Sequence, residues 1–288
     1  MKRRGYLKVL GKFGIASLLA CKNFKMLPNN YCNKCKEAWE GLSKFNRERY
    51  QFRYIEPTAQ LPKVFLYGDS ISIGYTEYVR ASLEGKADVM RLHLNGGSSD
   101  VFIERMEAFR KAMFQPSLKD GWSFTWDVIH FNVGLHDLKY IYDGKLNKEK
   151  GEQVSSLEIY KKNLVSIISY LKKTYPTTKL IFATTTPVPE GEPGRVEGDA
   201  KRYNEVALEL LKGHRDILVN DLYTYSKPVL ETHGVDYGNV HFKAEGSRLL
   251  GIEVAQVIGK TIKVEPNKCP STEVITAKFE AYESEKKK

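Results

Sequence analysis

Ser70 and His241 are the residues that raise the question of chemistry. Ser70 ends "KVFLYGDS", where a run of β-branched and aromatic residues stops at Gly68-Asp69 and helical spacing begins. A serine opening a helix after a strand has its hydroxyl at the sheet's ligand edge and its backbone N–H among the unpaired donors of the first turn. That combination suits acyl transfer, with a nucleophile and an oxyanion donor in one residue. A serine needs a base, and of the six histidines His241 is placed best, in "GNVHFKAEGSRLLG" just before the last strongly periodic helix. His93 and His130 fall inside strand-like runs and read as core; His214 and His233 read as surface loop residues.

Two further loops carry glycine beside polar residues. Asn95-Gly96-Gly97-Ser98-Ser99 follows "ADVMRLHL", and its glycines let backbone N–H groups approach a ligand closely. Gly134-Leu135-His136-Asp137 follows "WDVIHFNV". Taken alone, each has an ordinary structural explanation: a serine after a strand as a helix cap, a glycine pair as a turn, His136 as a satisfied structural histidine, Asp137 as a loop anchor.

The elements that must position these loops are legible as alternation. Apolar runs at 63–67, 88–94, 127–133, 179–184 and 216–220 are separated by longer segments of helical spacing. Of these, "SSLEIYKKNLVSIISYLKKTY" is the clearest, with Leu157, Tyr160, Leu164, Ile167, Ile168 and Leu171 three and four apart. Strands alternating with helices predict a parallel sheet covered on both faces, with ligands at the carboxyl ends of its strands. Residues 22–61 read as a spacer or a flank packed on the core, 62–263 as the domain, and 264–288 as a tail with at most one short helix.

These loops, in this order, resemble the blocks of the SGNH hydrolase family, the GDSL esterases and lipases, over roughly residues 62–263. The resemblance implies a three-layer α/β/α sandwich of the flavodoxin-like type, with a central parallel sheet of about five strands. It implies Ser70 as nucleophile with Asp69 beside it, Gly96 or Gly97 as an oxyanion amide together with that of Ser70, and His241 as base. The third family block is glycine, any residue, asparagine, aspartate. Gly134 and Asp137 match it as supporting residues, and His136 stands where the family keeps its oxyanion asparagine. An imidazole N–H can make the same hydrogen bond. The family's aspartate three residues before the histidine is replaced by Gly238. Asp236, five before, is the nearest carboxylate, and either it or a backbone carbonyl would orient the ring. The implied activity is hydrolysis of short acyl esters, acetyl above all, on a small molecule or glycan, with no cofactor and no metal. The alternative is a chain that kept the fold, lost turnover, and binds or scaffolds glycans.

Composition bounds the remaining possibilities. At 288 residues the chain has room for one sizeable domain with extensions. Its formal charge of +10 suggests nucleic acid, yet five of its cations, Lys2, Arg3, Arg4, Lys8 and Lys12, fall in the first twenty residues. No basic stripe interleaved with aromatics follows, so a nucleic-acid partner is not expected. "MKRRGYLKVLGKFGIASLLAC" has the order of an export signal: a basic start, then a short apolar stretch, then small residues before a cysteine. Arg3-Arg4 resembles the twin-arginine export motif, and Leu18-Leu19-Ala20-Cys21 a bacterial lipoprotein processing site. The expectation is export across the cytoplasmic membrane to the periplasm or cell envelope, with Cys21 lipidated and no other membrane contact. Cys32 and Cys35 have redox or half-zinc-site spacing but no matching second pair; they read as structural, incidental or disulfide-linked, with a thiol or metal module as a rival.

Overall fold

The computed structural model describes residues 30–286, with side chains from residue 33 onward. The export segment, Cys21 and the Cys32 side chain therefore lie outside the described residues. In chain order the elements are α1 (Asn30–Ser43), β1 (Lys63–Tyr67), α2 (Ser70–Ser82), β2 (Asp88–Arg91), α3 (Phe102–Met113), β3 (Val128–Phe131), β4 (Tyr140–Tyr142), β5 (Lys145–Leu146) and β6 (Glu152–Gln153). They continue with α4 (Leu157–Thr174), β7 (Lys179–Ala183), α5 (Asp199–Leu211), β8 (Ile217–Asn220), α6 (Leu222–His233), α7 (Ala244–Ile262) and α8 (Thr272–Lys286).

The expected five-stranded sheet is present, in the order β2-β1-β3-β7-β8, and every pairing is parallel. β1, β2 and β3 are buried at every residue, as strands covered on both faces must be. The strand order reverses between β1 and β3. Because α2 leads from β1 to β2 and α3 leads back from β2 to β3, the two helices cover opposite faces. α2 packs with α7 and α7 with α6, while α3, α4 and α5 form the other layer. A reversal of this kind opens a crevice at the carboxyl ends of the strands flanking it. The loops carrying Ser70 and His136 leave those two strands.

Two features depart from the sequence expectation, and a third agrees with one of its alternatives. β4, β5 and β6 form a small antiparallel sheet directly after the His136 loop, made of strands two or three residues long. The tail holds a full helix, α8, which buries Ile275 near Tyr78. The third is the flank at residues 33–61, which is built into the core. Trp39 and Phe52 are 2% and 0% exposed, and the Trp39 indole N–H donates to the Phe52 carbonyl. Arg80 reaches back to the Gln51 carbonyl, and Arg53 pairs with the buried Glu77. Burying two large aromatics stabilises by several kcal/mol, about 3–5 for each if truncated to alanine, so this segment is held firmly. Cys35 and Cys269 are buried free thiols, and burial pushes both up from the usual thiol range. Cys35 is thus not in a disulfide.

Candidate active site

β1 ends at Tyr67, and Gly68 lets α2 start hard against the strand: a Cβ on Gly68 would lie 2.8 Å from that of Ser72. Asp69, not Ser70, caps the helix, its carboxylate accepting the Ile71 N–H at 2.9 Å. The Ser70 hydroxyl is thereby left free to face the cleft, and its N–H sits in the first turn, where no intrahelical acceptor exists.

His241 comes to meet it. The Ser70 Oγ lies 2.9 Å from His241 Nε2. The other ring nitrogen, Nδ1, is 2.8 Å from Asn239 Oδ1, and that same oxygen accepts the His241 backbone N–H at 3.0 Å. An atom accepting from a backbone N–H is the amide's carbonyl oxygen, so Nδ1 carries the proton and Nε2 is the acceptor for Ser70. This is the tautomer a general base needs. The loop is pinned by an antiparallel bridge between Gly234 and Phe242 and by the Val235 N–H on the His241 carbonyl.

The orienting group is therefore Asn239, which the sequence reading missed. Asp236, the expected candidate, is exposed, and its backbone carbonyl accepts the Asn239 N–H while no bond joins its carboxylate to the ring. Gly238, at the place of the family aspartate, has φ +70, and a Cβ there would lie 2.6 Å from the Gly191 carbonyl oxygen. A side chain at that position would be strained and would force the Gly191 backbone to move. An asparagine two residues before the histidine is the signal that could have been read, because such side chains commonly bond backbone two positions on.

Loss of water from around His241 lowers its pKa from the ordinary 6.5, with buried Asp69 acting in the opposite sense, Arg195 lowering it and Glu192 raising it. The ring is thus biased toward the neutral, proton-accepting form. Asp69 is the carboxylate that acts on it most strongly.

The expected oxyanion donors divide. The Gly96 N–H donates to the Gly68 carbonyl at 2.8 Å, continuing the β1–β2 ladder, and is not available to a ligand. The Gly97 N–H donates to Asn95 Oδ1 at 2.9 Å, a side chain that can swing away. His136 lines the same cleft as Ser70 and His241. Its Nδ1 lies 3.2 Å from Lys139 Nζ, and an ammonium only donates, so the ring proton is on Nε2. Burial first, then Lys139 and two arginines, push its pKa down to about 3, so the ring is a neutral donor.

Asp137 and Gly134 act behind the site. Buried Asp137 accepts both the N–H and the hydroxyl of Ser99, tying the loop after β3 to the loop after β2. Burial raises its pKa to about 6 against those bonds. Gly134, with φ +142, faces Thr185. Arg195 donates to the Leu135 carbonyl at 2.8 Å while paired with Glu192, bracing the same loop from the far side. His93 and His130 are buried as expected and held down to about 4, whereas His233 is the last residue of α6 rather than a surface loop residue.

The cleft has a volume of about 740 Å³. One of its walls is the flank, through Asn46, Arg49, Gln51 and Phe52.

No family model matches the sequence, and no curated protein matches it. Solved structures do. A lipase/acylhydrolase from Enterococcus faecalis is 18% identical with a TM-score of 0.53, over 72% of this chain and all of that one. An acetylxylan esterase from Geobacillus stearothermophilus is 20% identical with a TM-score of 0.51, over 71% of this chain and 95% of that one. The acetyl xylan esterase AlAXEase is 17% identical with a TM-score of 0.51, over 68% and 99%. With its five parallel strands, helices on both faces and likeness to these structures over nearly their whole lengths, the chain has the α/β/α fold of the SGNH hydrolases.

Proposed function

We propose that the chain is a serine ester hydrolase that removes short acyl groups, acetyl first, from a carbohydrate or similar alcohol. One observation carries this: Ser70, His241 and Asn239 form a hydrogen-bonded line with the proton on the ring nitrogen that base catalysis requires. The substrate class draws on the solved structures of like fold, two of which are acetyl xylan esterases.

His241 Nε2 takes the Ser70 proton as the hydroxyl attacks the ester carbonyl, and the Asn239 oxygen stabilises the imidazolium that forms. The Ser70 N–H and His136 Nε2–H receive the oxyanion, and the Gly97 N–H joins them once the Asn95 side chain turns aside. Each such donor contributes about 3–4 kcal/mol in comparable sites. His241 returns its proton to the leaving alcohol, then activates water against the acyl-enzyme. All these roles fall to protein groups.

The engaged Gly96 and Gly97 amides favour the second reading, a glycan-binding fold without turnover. Initial rates with 4-nitrophenyl acetate and acetate release from acetylated xylan distinguish the two. Esterase action predicts turnover lost in Ser70→Ala and in His241→Ala. A retired fold predicts no turnover by the parent chain while it still binds the glycan.

For location we propose export and lipid attachment at Cys21. Cys21→Ala then releases the protein from the membrane fraction, and unchanged attachment would contradict the proposal.

A further inference from the structure

The charge around Ser70 is one-sided. Among the described residues lining the cleft there is no aspartate or glutamate, while Arg49 and Arg105 both line it. Its two histidines are not cationic partners for a ligand at neutral pH: His136 is neutral beside Lys139, and His241 is the proposed base. The guanidiniums are the cleft's fixed charges.

Neither arginine is in an ion pair with a described carboxylate. Arg105, from α3, uses one N–H on the Asn95 carbonyl and keeps the rest of its fork. Arg49, from the flank, stands over the Phe52 ring at 5.2 Å; it also borders a depression containing Glu48 and Glu283 but pairs with neither. Buried Arg91 also lies over that ring, its guanidinium 4.4 Å from the Phe52 centroid. Its Nη2 donates to Ser72, whereas Nε and Nη1 have no described partner. The nearby Glu77 is already shared by Arg53 and Arg80. Asp69, next to the nucleophile in the chain, and Asp137, next to His136, are engaged by the Ile71 N–H and by Ser99.

A second groove, along the His241 loop, has the opposite sign. It reaches Asn239 and is lined by Glu190, Glu231 and Asp236, with Lys243 as its base.

We propose that the Arg49–Arg105 side of the cleft binds an anionic group, a carboxylate or phosphate, carried by the ester substrate, so that Arg49 and Arg105 determine specificity. Planar guanidiniums with spare donors suit either oxyanion. This proposal rests on the esterase reading and adds to it the charge of the substrate.

The test uses the full chain and two matched pairs of esters. Mono(4-nitrophenyl) succinate against 4-nitrophenyl butyrate places the charge on the acyl side; 4-acetoxybenzoate against its methyl ester places it on the alcohol side. Each kcat/KM is corrected for the uncatalysed rate at the assay pH, which for the succinate half-ester includes attack by its own carboxylate, and is divided by that ester's second-order rate constant with hydroxide. The expected result is a preference of about tenfold for the charged member in one pair, the size of one charge-assisted contact at an open site. The preference is abolished in Arg49→Gln and reversed in Arg49→Glu. It also collapses in about 1 M salt, where the Debye length is about 3 Å. Equal normalised rates in both pairs, with turnover that still needs Ser70, would overturn the anion site and leave the esterase intact. If no ester is turned over, the esterase reading fails, and calorimetric titration with sodium succinate decides the anion site alone: binding lost in Arg49→Gln supports it, and no binding to the parent chain overturns it.

Discussion

Asn239 is where the structure makes its sharpest demand. Its carboxamide oxygen holds both the backbone and the ring of His241, at 3.0 and 2.8 Å. Asn239→Ala removes both bonds. The ring bond strengthens as the imidazolium forms, and a hydrogen bond to a charged group is worth about 1.5–3 kcal/mol, so kcat should fall about 10- to 150-fold. Asn239→Asp keeps an acceptor in place and adds a negative charge beside Nδ1, which favours the protonated ring. It should retain turnover and move the acidic limb of kcat/KM upward by about 1–2 pH units. Asp236→Ala, at an exposed residue without a bond to the ring, should change kcat by less than about twofold. The assay is kcat/KM for 4-nitrophenyl acetate across the pH range, with thermal unfolding as a check on folding. Full activity in a folded Asn239→Ala protein, or an unmoved limb in Asn239→Asp, would refute the assignment of Asn239 as the positioning residue.

Other expectations follow from the same geometry. Because His241 acts as a neutral base with a lowered pKa, activity is full above that pKa and lost as pH falls through it, so the acidic limb of kcat/KM lies below the ordinary 6.5. Stability should fall on acidification, as read by denaturant unfolding at successive pH values. Buried His93 and His130 stay neutral in the fold down to about 4, while the unfolded chain takes up their protons from 6.5. Each therefore lowers stability by up to about 1.4 kcal/mol per pH unit across that window. Asp137 works in the opposite sense, its contribution diminishing as pH rises from 3.8 through about 6, so the two imidazoles outweigh it. Gly96→Ala should destabilise by about 1–3 kcal/mol and lower the calorimetric Tm, because its Cβ would sit 2.7 Å from the Gly68 carbonyl oxygen and 2.8 Å from the Tyr67 ring.

The sheet was legible because strands covered on both faces, as β1, β2 and β3 are, read as near-continuous apolar runs, and the edge strand β8 is apolar too although Leu218 and Val219 are exposed; all five strands fall within the runs seen in the sequence. Ser70 and His241 could be paired across the chain because both lie at the carboxyl edge of such a sheet. The small sheet of β4, β5 and β6 was not legible, since strands of two or three residues show no alternation. α8 was readable in principle, with Ile275, Phe279 and Tyr282 four and three apart on one face. The flank's part in the cleft was hidden because Arg49 and Phe52 sit in short 3₁₀ turns or between them, where spacing says nothing of direction. Gly96 was misread for a related reason: a sequence shows that an N–H can approach a ligand, not that a neighbouring carbonyl already holds it. Asn239 was not legible as the partner of the ring because a carboxylate or a backbone carbonyl is the usual one, whereas the fold supplies a side-chain amide within the loop itself.

The most direct measurement is labelling of the protein with a fluorophosphonate, with the modified peptide located by mass spectrometry. An activated nucleophile predicts adduct on Ser70, lost in Ser70→Ala, nearly lost in His241→Ala and slowed in Asn239→Ala. A folded parent chain that takes no label, or labels equally well without His241, would contradict the account.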